Sequence, residues 1–324
     1  MDVLIVEPLN PEVQTWLEAR HEVVLAPGLA HDPAAFRNAL AQARAAIVPP
    51  SVSLDAHTLQ RAPQLRIVGR LSGGPENIDL DACARAGIEV VRPASASAVA
   101  EAEFLIGALL QMLRRVPIVN DEGLLVGREL SGATVGVVGM TTAVKPLAQL
   151  LSAFGARVQG YDPALHATDP LWSRSGVAAV GLRELMQTSD GVCVLLHSYQ
   201  RYTGLFGERL LGESKLNQVL VSLAHSKMFD DRALAEALTT GALAAAWFDS
   251  MEPGLLDPGR PLRHIDTLQV TPRVAATTQG SRVRSAWAVA RRVDELLSVS
   301  PPRSEFRGTL PDEFADLADD PGPA

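Results

Sequence analysis

The chain has 324 residues, a formal net charge of −8 at pH 7 and a hydrophobic content of 47%, which together predict a globular protein of about two domains. The acidic balance argues against nucleic acid as a partner, because phosphate binding needs a basic face. The sequence has no apolar run long enough to cross a bilayer and no basic segment of a secretory signal, so we expect a cytoplasmic protein that does not bind membranes.

Short apolar runs alternate with helical segments in the first block of the chain. Residues 2–9 are predicted to form a strand, and a helix follows in which Asn10 is the N-cap and Pro11 the first helical residue. Asp32 and Pro33 repeat that helix start. The runs "AAIVP", "LRIVGR" and "IEVVRP" are predicted as further strands. Such alternation indicates a parallel sheet covered by helices on both faces.

A long helical pattern runs from about Ser97 to Val116 and is apolar nearly all round, so we expect it to be buried between domains or subunits. A second block of alternating strands and helices follows. A helix over residues 280–299 closes the fold, and the tail from Ser300 is rich in proline and acid and is expected to lack a core of its own. The cysteines and histidines lack metal-ligand spacing, so no metal site is predicted.

The stretch "GVVGMTTAVKPLA", residues 136–148, is typical of a strand, a tight turn and the start of a helix. In an open parallel sheet, ligands bind beyond the carboxyl ends of the strands. Gly139 ends this strand, and about twenty residues later Asp162 ends the next one. A carboxylate there accepts hydrogen bonds from a ribose and repels a 2′-phosphate, so the spacing favours NAD over NADP.

The glycine pattern of a dinucleotide loop is broken in this stretch. Where G-x-G-x-x-G would run, the sequence has Gly139, Thr141 and Val144. Thr141 adds a side chain where the ligand would pass, and Val144 is expected to push the helix outward. The helix N-terminus still offers N–H groups, and the hydroxyls of Thr141 and Thr142 add donors. An altered dinucleotide loop and a plain strand-to-helix turn both remain open at this point.

From about Leu65 to Val293 the chain resembles the D-isomer-specific 2-hydroxyacid dehydrogenases. The resemblance is carried in order by "GRLSGGPENIDLDACARAGIEVV", "SAVAEAEFLIGALLQMLRR", "LSGATVGVVGM", "LLSAFGARVQGYDP", "DDRALAEALTTGALAAAWFDSMEP" and "TLQVTPRVAATTQGS". It implies an α/β fold with two doubly wound parallel-sheet domains. These are a flavodoxin-like substrate domain, residues 1–96 and 285–324, and a Rossmann NAD-binding domain, residues 97–284. It also implies a homodimer.

The activity that the resemblance implies is hydride transfer between NAD and C2 of a small 2-hydroxy or 2-oxo acid. This chemistry needs a cation for the carboxylate, an acid/base for the hydroxyl proton and a carboxylate beside that base. The family's Arg, in an Asn-x-x-Arg-Gly turn, corresponds to His225 in "VSLAHSKMFDD". Its His, in a Thr-Pro-His turn, corresponds to Arg273 in "VTPRVAA". Glu252, before Pro253, is the candidate for its Glu, two residues closer to Asp249 than usual.

Two main hypotheses follow from these replacements. In an exchanged site, Arg273 binds the carboxylate and His225 moves the proton. In the alternative, the chain is a catalytically silent NAD- or metabolite-binding homologue, because productive geometry is held within about half an ångström. A structural dimer without cofactor is a third, weaker interpretation.

The resemblance also implies cofactor and substrate contacts. Asp249 corresponds to the acidic residue near the nicotinamide carboxamide, although a strand-end carboxylate satisfied by local N–H groups is the alternative. Arg70 is either a second cation or a surface arginine, and Asn77 is expected to order the adjacent turn. The remaining implied contacts are Leu223 and Ala224 at the nicotinamide, Thr142 and Ala143 at the pyrophosphate, and Ser72, Gly73 and Gly74 at the substrate carboxylate.

Overall fold

The computed structural model describes residues 1–71, 77–93, 95–197, 199–250, 252 and 254–299. The chain divides into two compact units. The first is Met1–Pro93 together with the chain from Arg282, and the second is Ala94–Ser281. Three of the predicted substrate contacts, Ser72, Gly73 and Gly74, lie outside the described residues, as does the tail from Ser300.

The described part of the first unit contains a parallel sheet in the order β2-β1-β3-β4-β5. Its strands are β1 (Val3–Ile5), β2 (Val23–Leu25), β3 (Ala45–Ile47), β4 (Ile67–Gly69) and β5 (Glu89–Val91). The helices between them are α1 (Pro11–Glu18), α2 (Pro33–Leu40), α3 (Ala56–Gln60) and α4 (Leu80–Arg85). This strand order is that of flavodoxin-like sheets.

The predicted helix starts in the first unit are confirmed. Asn10 accepts a hydrogen bond from the N–H of Glu12 at 3.0 Å and caps α1. Asp32 accepts from the N–H groups of Ala34 and Ala35, at 3.1 and 3.0 Å, and caps α2. Each cap satisfies backbone donors that would otherwise have no partner in the first turn.

Arg70 is buried, with only 1% of its surface exposed. Its Nη1 donates to Oδ1 of Asn77. Asn77 in turn donates from Nδ2 to the carbonyls of Pro49, at 3.3 Å, and Val52. The interpretation of Arg70 as a surface arginine is therefore wrong, because its guanidinium supports the residue that holds this turn together.

The second unit contains a parallel sheet in the order β10-β9-β8-β11-β12-β13-β14 within its described residues. Its helices are α5 (Ala98–Arg115), α6 (Val144–Ala153), α7 (Pro170–Ser175), α8 (Leu182–Thr188), α9 (Glu208–Leu211) and α10 (Asp231–Thr240). An antiparallel hairpin, β6 (Ile118–Val119) with β7 (Leu125–Val126), follows α5. The strands of the sheet are β8 (Thr134–Val138), β9 (Arg157–Tyr161), β10 (Ala178–Ala179), β11 (Gly191–Val194), β12 (Val219–Ser222), β13 (Ala245–Phe248) and β14 (Leu268–Val270).

The strand order reverses at β8, because β9 lies on one side of it and β11 on the other. In doubly wound sheets this is the switch point, and the crevice at its carboxyl end takes the ligand. The second sheet therefore has the Rossmann order, and the predicted α/β class is confirmed. The last helix, α11 (Gln279–Val299), follows this sheet, and its residues from Arg282 belong to the first unit.

Helix α5 forms much of the core of the second unit. Leu105, Leu109 and Leu113 lie on its buried face and pack with residues of β8, α6 and β12. This burial accounts for the apolar character of the helix on that side. Among the described residues, no helix combines the length and apolarity needed to span a membrane.

Candidate active site

The candidate residues of the second unit follow the carboxyl ends of neighbouring strands. In a parallel sheet these ends meet at one edge, so residues distant in sequence come together there. The positions are Gly139 after β8, Asp162 after β9, His225 after β12, Asp249 after β13 and Arg273 after β14.

The segment from Gly139 to Ala143, the β8–α6 loop, begins with a backbone conformation that requires glycine. Gly139 has a φ of +103°. A Cβ atom there would lie 2.6 Å from the backbone nitrogen of Leu196 and 2.9 Å from the carbonyl carbon of Leu195. The N–H of Gly139 donates to the carbonyl of Tyr161 at 2.8 Å. The loop is therefore held tightly between the exits of β9 and β11.

Asp162 is fixed by the same loop. Its Oδ2 accepts from the N–H of Met140 at 2.7 Å, and its Oδ1 accepts from the N–H of Ala164 at 2.8 Å. A carboxylate oxygen has two acceptor sites, so each oxygen retains capacity for a further donor such as a ribose hydroxyl.

The start of α6 shows how the two missing glycines are accommodated. Val144 is fully buried and packs in the core beside Ala143 and Leu147, below the helix start. Its N–H donates to the carbonyl of Thr141 at 3.1 Å. The hydroxyl of Thr141 is itself buried and has no hydrogen-bond partner in the part of the chain that the structure describes. Within the described residues, no side chain forms a capping hydrogen bond at the start of α6.

Asp249 ties β13 to the loop after β14. It is 4% exposed, and its Oδ1 accepts from the hydroxyl of Thr271 at 2.6 Å and from the N–H of Val274 at 2.8 Å. Its Oδ2 accepts from the N–H of Ala275 at 2.8 Å. The indole N–H of Trp247 donates to the Thr271 hydroxyl at 3.1 Å. These bonds match the interpretation of Asp249 as a carboxylate satisfied locally, and its contact with a nicotinamide stays a prediction.

Arg273 lies in the loop that Asp249 holds. Its φ is +55°, a left-handed conformation that only a few per cent of residues other than glycine adopt. The backbone N–H of Arg273 donates to the carbonyl of Thr271 at 3.0 Å, and its carbonyl accepts from the hydroxyl of Thr277 at 2.6 Å. Strained backbone of this kind persists where the surroundings hold it, and it is common at functional sites.

Glu252 lies beside both His225 and Arg273. Its Oε1 lies 3.4 Å from Nδ1 of His225 and 3.6 Å from Nη2 of Arg273. The hydroxyl of Ser250 donates to the same oxygen at 2.5 Å. These residues, with Ser226, are called the Glu252 cluster below. The three predicted catalytic side chains therefore share one carboxylate oxygen.

The environment of Glu252 keeps its carboxylate anionic. Burial alone raises its pKa, but the polar groups of Ser226, the hydroxyl of Ser250 and the charge of His225 outweigh that effect. The net result is a pKa below the ordinary value of 4.5. Glu252 therefore carries a negative charge at neutral pH, between the imidazole of His225 and the guanidinium of Arg273.

His225 opens a short 3-10 turn, Ser226–Met228, and its Nδ1 faces two partners. The N–H of Lys227 donates to Nδ1 at 3.2 Å, which places the proton of the neutral ring on Nε2. Glu252 lies beside the same Nδ1 and favours the opposite form, with a proton on Nδ1. Nδ1 of His225 therefore accepts from Lys227 in one form of the ring and donates to Glu252 in the other.

Leu223 and Ala224 connect β12 to this turn. The N–H of Leu223 donates to the carbonyl of Val194 at 2.9 Å, and the N–H of Ala224 donates to the hydroxyl of Ser222 at 3.2 Å. Both N–H groups are therefore used within the protein. Their predicted contact with a nicotinamide would therefore involve the carbonyl groups or side chains of Leu223 and Ala224.

The sequence interpretation missed two kinds of polar residue. Ser226 directly follows His225, and Ser250 lies two residues before Glu252. Neither serine is part of a repeating pattern in the sequence that would mark it as a partner of Glu252. Glu101, in the first turn of α5, accepts from the hydroxyl of Ser97 at 2.7 Å. Burial raises the pKa of Glu101, and the charge of Asp249 adds to this effect. The available signal was an acidic residue in the otherwise apolar first turn of α5.

Comparison with known proteins gives a family match. Residues 107–275 match the NAD-binding domain of the D-isomer specific 2-hydroxyacid dehydrogenases. The chain belongs to this family. Its members carry out NAD-linked oxidation and reduction of 2-hydroxy acids, and the second unit is the family's NAD-binding domain.

Individual relatives cover nearly all of the chain. It is 30% identical to the (S)-sulfolactate dehydrogenase of Chromohalobacter salexigens, over 92% of this chain and 99% of that enzyme. It is 30% identical to the D-3-phosphoglycerate dehydrogenase of Mycobacterium tuberculosis over 90% of this chain, which spans 56% of that longer enzyme. Among solved structures, the TT0316 protein of Thermus thermophilus superposes with a TM-score of 0.75 and 26% identity, over 93% and 98% of the two chains.

The residues at the switch point fit a bound dinucleotide. Gly139 leaves no room for a side chain, Asp162 presents acceptors, and the buried hydroxyl of Thr141 lacks a protein partner. An unsatisfied buried hydroxyl is unfavourable unless a ligand or water completes it. NAD is therefore compatible with this loop despite the two replaced glycines.

Proposed function

We propose that this protein is an NAD-dependent dehydrogenase of small 2-hydroxy acids in which the cation and the acid/base have exchanged positions. The observation that carries the proposal is the placement of His225 and Arg273 at 3.4 and 3.6 Å from one oxygen of Glu252. The chemistry needs a cation, an acid/base and a tuning carboxylate, and the cluster supplies one of each.

In this proposal Arg273 binds the substrate carboxylate. Its guanidinium is 58% exposed, stays protonated and can make two parallel hydrogen bonds to a carboxylate. The ion pair with Glu252 restricts the rotation of the Arg273 side chain but occupies only part of its guanidinium. Arginine has five N–H donors, so several remain for a substrate carboxylate. The left-handed backbone at residue 273, held by hydrogen bonds to Thr271 and Thr277, fixes the position from which this side chain extends.

His225 moves the hydroxyl proton in the proposed reaction. When Nδ1 donates to Glu252, Nε2 is unprotonated and accepts the proton from the C2 hydroxyl of the substrate. The resulting imidazolium is stabilised by the anionic Glu252. In the reverse direction the same Nε2–H protonates the carbonyl oxygen. NAD, when bound, supplies the hydride acceptor at its nicotinamide ring.

The decisive experiment is a steady-state assay of 2-oxo acids with NADH, including the oxo forms of sulfolactate and 3-phosphoglycerate. We expect the Arg273→Gln variant to raise KM by about 100-fold, because a charged carboxylate contact is lost. We expect the His225→Ala variant to lower kcat by about 100-fold or more, in line with removal of a general acid/base.

The Arg232→Gln variant is the matched control, because Arg232 is an exposed residue of α10. It should behave like the wild-type protein. Equal and negligible rates in wild type, Arg273→Gln and His225→Ala would contradict the exchanged site. NADH binding under those conditions would instead identify a catalytically silent NAD-binding homologue.

We further propose that the protein is a cytoplasmic homodimer that forms through α5 and the β6–β7 hairpin. Leu110 on α5 and Val119, Leu124 and Leu125 on the hairpin are exposed apolar residues close together in sequence. Leu125 is 70% exposed, and contiguous exposed apolar residues mark interaction surfaces. The substrate contacts implied for Ser72, Gly73 and Gly74 remain part of the proposal.

The oligomeric state can be measured by sedimentation equilibrium. We expect the wild-type protein to have twice the mass of one chain and the Leu125→Asp variant to have the mass of one. Leu216→Asp is the control, since Leu216 is also exposed but precedes β12 in a different part of the second unit. A wild-type protein with the mass of one chain would rule out the dimer.

A further inference from the structure

Trp247 lies in β13 directly after three alanines, residues 244–246. Its side chain packs in the same core cluster as the buried face of α5, and its ring meets that of Phe104 edge-on, with the centroids 5.4 Å apart. Close packing of this kind holds a side chain in one rotamer. The indole N–H of Trp247 therefore points in a fixed direction.

That N–H group begins a chain of two hydrogen bonds. It donates to the Thr271 hydroxyl at 3.1 Å, and the hydroxyl donates to Oδ1 of Asp249 at 2.6 Å. An indole is a donor only, so the oxygen of Thr271 has to accept from it, and the single hydroxyl proton is left for the carboxylate. Trp247 therefore selects the direction in which Thr271 donates, and successive bonds of this kind strengthen one another.

Thr271 holds residue 273 in two ways. Its carbonyl accepts from the N–H of Arg273 at 3.0 Å, and its hydroxyl shares Asp249 with the N–H groups of residues 274–275. The backbone N–H of Thr271 donates to the carbonyl of Phe248 at 2.8 Å, which ties Thr271 itself to β13. The left-handed backbone of Arg273 is therefore bounded on both sides by groups that Thr271 or Asp249 holds.

A buried indole N–H usually finds an acceptor wherever it lies. Trp172 is an example in α7, because its N–H donates to the carbonyl of His166 at 3.0 Å. The bond of Trp247 differs, since its acceptor leads on to Asp249 and to the loop of Arg273. A side chain that binds a reacting group has to be held within about half an ångström of the productive position, so this support bears on the reaction.

We propose that Trp247 and Thr271 are positioning residues that set the place of Arg273, and with it the fit of the substrate carboxylate. The proposal rests on Arg273 being the cation of the proposed reaction. Neither Trp247 nor Thr271 touches the substrate in this assignment, because each acts through Asp249 on the backbone that carries the guanidinium. Their loss should weaken substrate binding and leave the transfer of hydride and proton nearly unchanged.

Steady-state kinetics with NADH and the 2-oxo acid that the wild-type protein reduces fastest test this role. We expect Thr271→Val, which keeps the shape of the side chain and removes its hydroxyl, to raise KM about tenfold, and Trp247→Phe to raise it about threefold. In both variants kcat should change by less than about twofold, and Thr271→Ser, which retains the hydroxyl, should have a KM near that of wild type. Trp172→Phe is the matched control with unchanged KM, because it removes an indole N–H bond of the same kind from α7.

Double variants show whether the effect passes through Arg273 and along one chain of bonds. Adding Thr271→Val to Arg273→Gln should leave KM at the value of Arg273→Gln alone, and adding Trp247→Phe to Thr271→Val should leave it at that of Thr271→Val. Factors that multiply in either pair would overturn the assignment, as would a wild-type KM in Thr271→Val or in Trp247→Phe. These outcomes leave the proposed function intact, whereas a wild-type protein that reduces no 2-oxo acid would overturn both.

Discussion

The β8–α6 loop and the Glu252 cluster lie at the same edge of one parallel sheet, but they are built differently. In the loop, the backbone is fixed by Gly139, whose neighbours leave no space for a Cβ atom. In the cluster, side chains determine the geometry, because Glu252 contacts His225 and Arg273 through one oxygen. A region of the first kind can replace residues that contact the ligand as long as the backbone path is kept. A region of the second kind can exchange side chains around a fixed anion.

Asp249 supports the Glu252 cluster from outside it. It is not a member of the Glu252 cluster, yet its carboxylate holds the loop that carries Arg273. The Glu252 cluster therefore depends on a buried carboxylate for the placement of Arg273, whereas the β8–α6 loop depends on the absence of a side chain at Gly139. Substitutions at these points should therefore have different signatures.

The largest effect is expected from Gly139→Ala. The new Cβ atom would meet backbone atoms of Leu195 and Leu196 that cannot move independently, and alanine disfavours a φ of +103°. We expect a loss of about 3 kcal/mol or more in the free energy of unfolding, measured by urea denaturation, together with loss of NADH binding.

The control for that experiment is Gly28→Ala, since an added Cβ at Gly28 has nothing within 4 Å and Gly28 lies inside a short 3-10 helix, Pro27–His31. It should leave the free energy of unfolding unchanged or raise it by less than about 1 kcal/mol. If Gly139→Ala is as stable as Gly28→Ala, the β8–α6 loop does not require glycine at residue 139.

The Asp249→Asn variant should have the next largest effect. The amide places its NH2 group against backbone N–H donors and leaves at least one buried donor unpaired. We expect a loss of about 2–3 kcal/mol in the free energy of unfolding and a rise in KM for the 2-oxo acid, because the Arg273 loop loosens. Asp169→Asn, at the exposed N-cap of α7, is the control, since asparagine caps helices as well as aspartate does. Wild-type KM in a destabilised Asp249→Asn protein would show that the loop holds Arg273 by itself.

The backbone strain at Arg273 predicts a smaller effect. Glycine adopts a φ of +55° without penalty, while alanine does not, so Arg273→Gly should be more stable than Arg273→Ala by about 1 kcal/mol. Both variants should lose the carboxylate contact and have the same raised KM. The comparison of their urea midpoints isolates the backbone contribution, and an Arg273→Ala protein of higher stability would mean that the left-handed conformation is not retained.

The pH dependence of the Glu252 cluster gives the smallest expected change. Because the pKa of Glu252 is lowered in the folded protein, its contribution to stability is complete at neutral pH and is lost as the pH falls below its ordinary value of 4.5 and through the lowered pKa. The Ser226→Ala variant removes the hydroxyl that lowers this pKa and keeps the backbone N–H of residue 226. The acid limb of kcat/KM should therefore move to higher pH than in wild type. Ser173→Ala, on exposed α7, is the control. An unchanged acid limb in Ser226→Ala would assign that limb to a different group.

The α/β class, the helix starts at Asn10 and Asp32 and the place of Gly139 at the switch point all follow from local patterns in the sequence. They are predictable because strand length, capping residues and glycine act over a few neighbouring positions. The burial of Arg70 could not be predicted, since its partner Asn77 is brought to it by the fold. The hydrogen bonds of Asp249 to residues 271–275 could not be predicted for the same reason. The contacts of Glu252 with His225 and Arg273 depend on three separate strand ends that meet at one edge of the sheet.

Trp247 connects the loop of Arg273 to an optical signal. Its indole N–H donates to the Thr271 hydroxyl, which donates to Asp249, and its ring packs edge-on against Phe104 at 5.4 Å. Indole emission responds to the polarity and hydrogen bonding around the ring. The chain has four tryptophans, Trp16, Trp172, Trp247 and Trp287, and among the described residues Trp247 is the one linked to the Asp249 carboxylate by two successive hydrogen bonds through Thr271. The protein therefore contains an intrinsic fluorophore whose surroundings change whenever the loop that positions Arg273 changes.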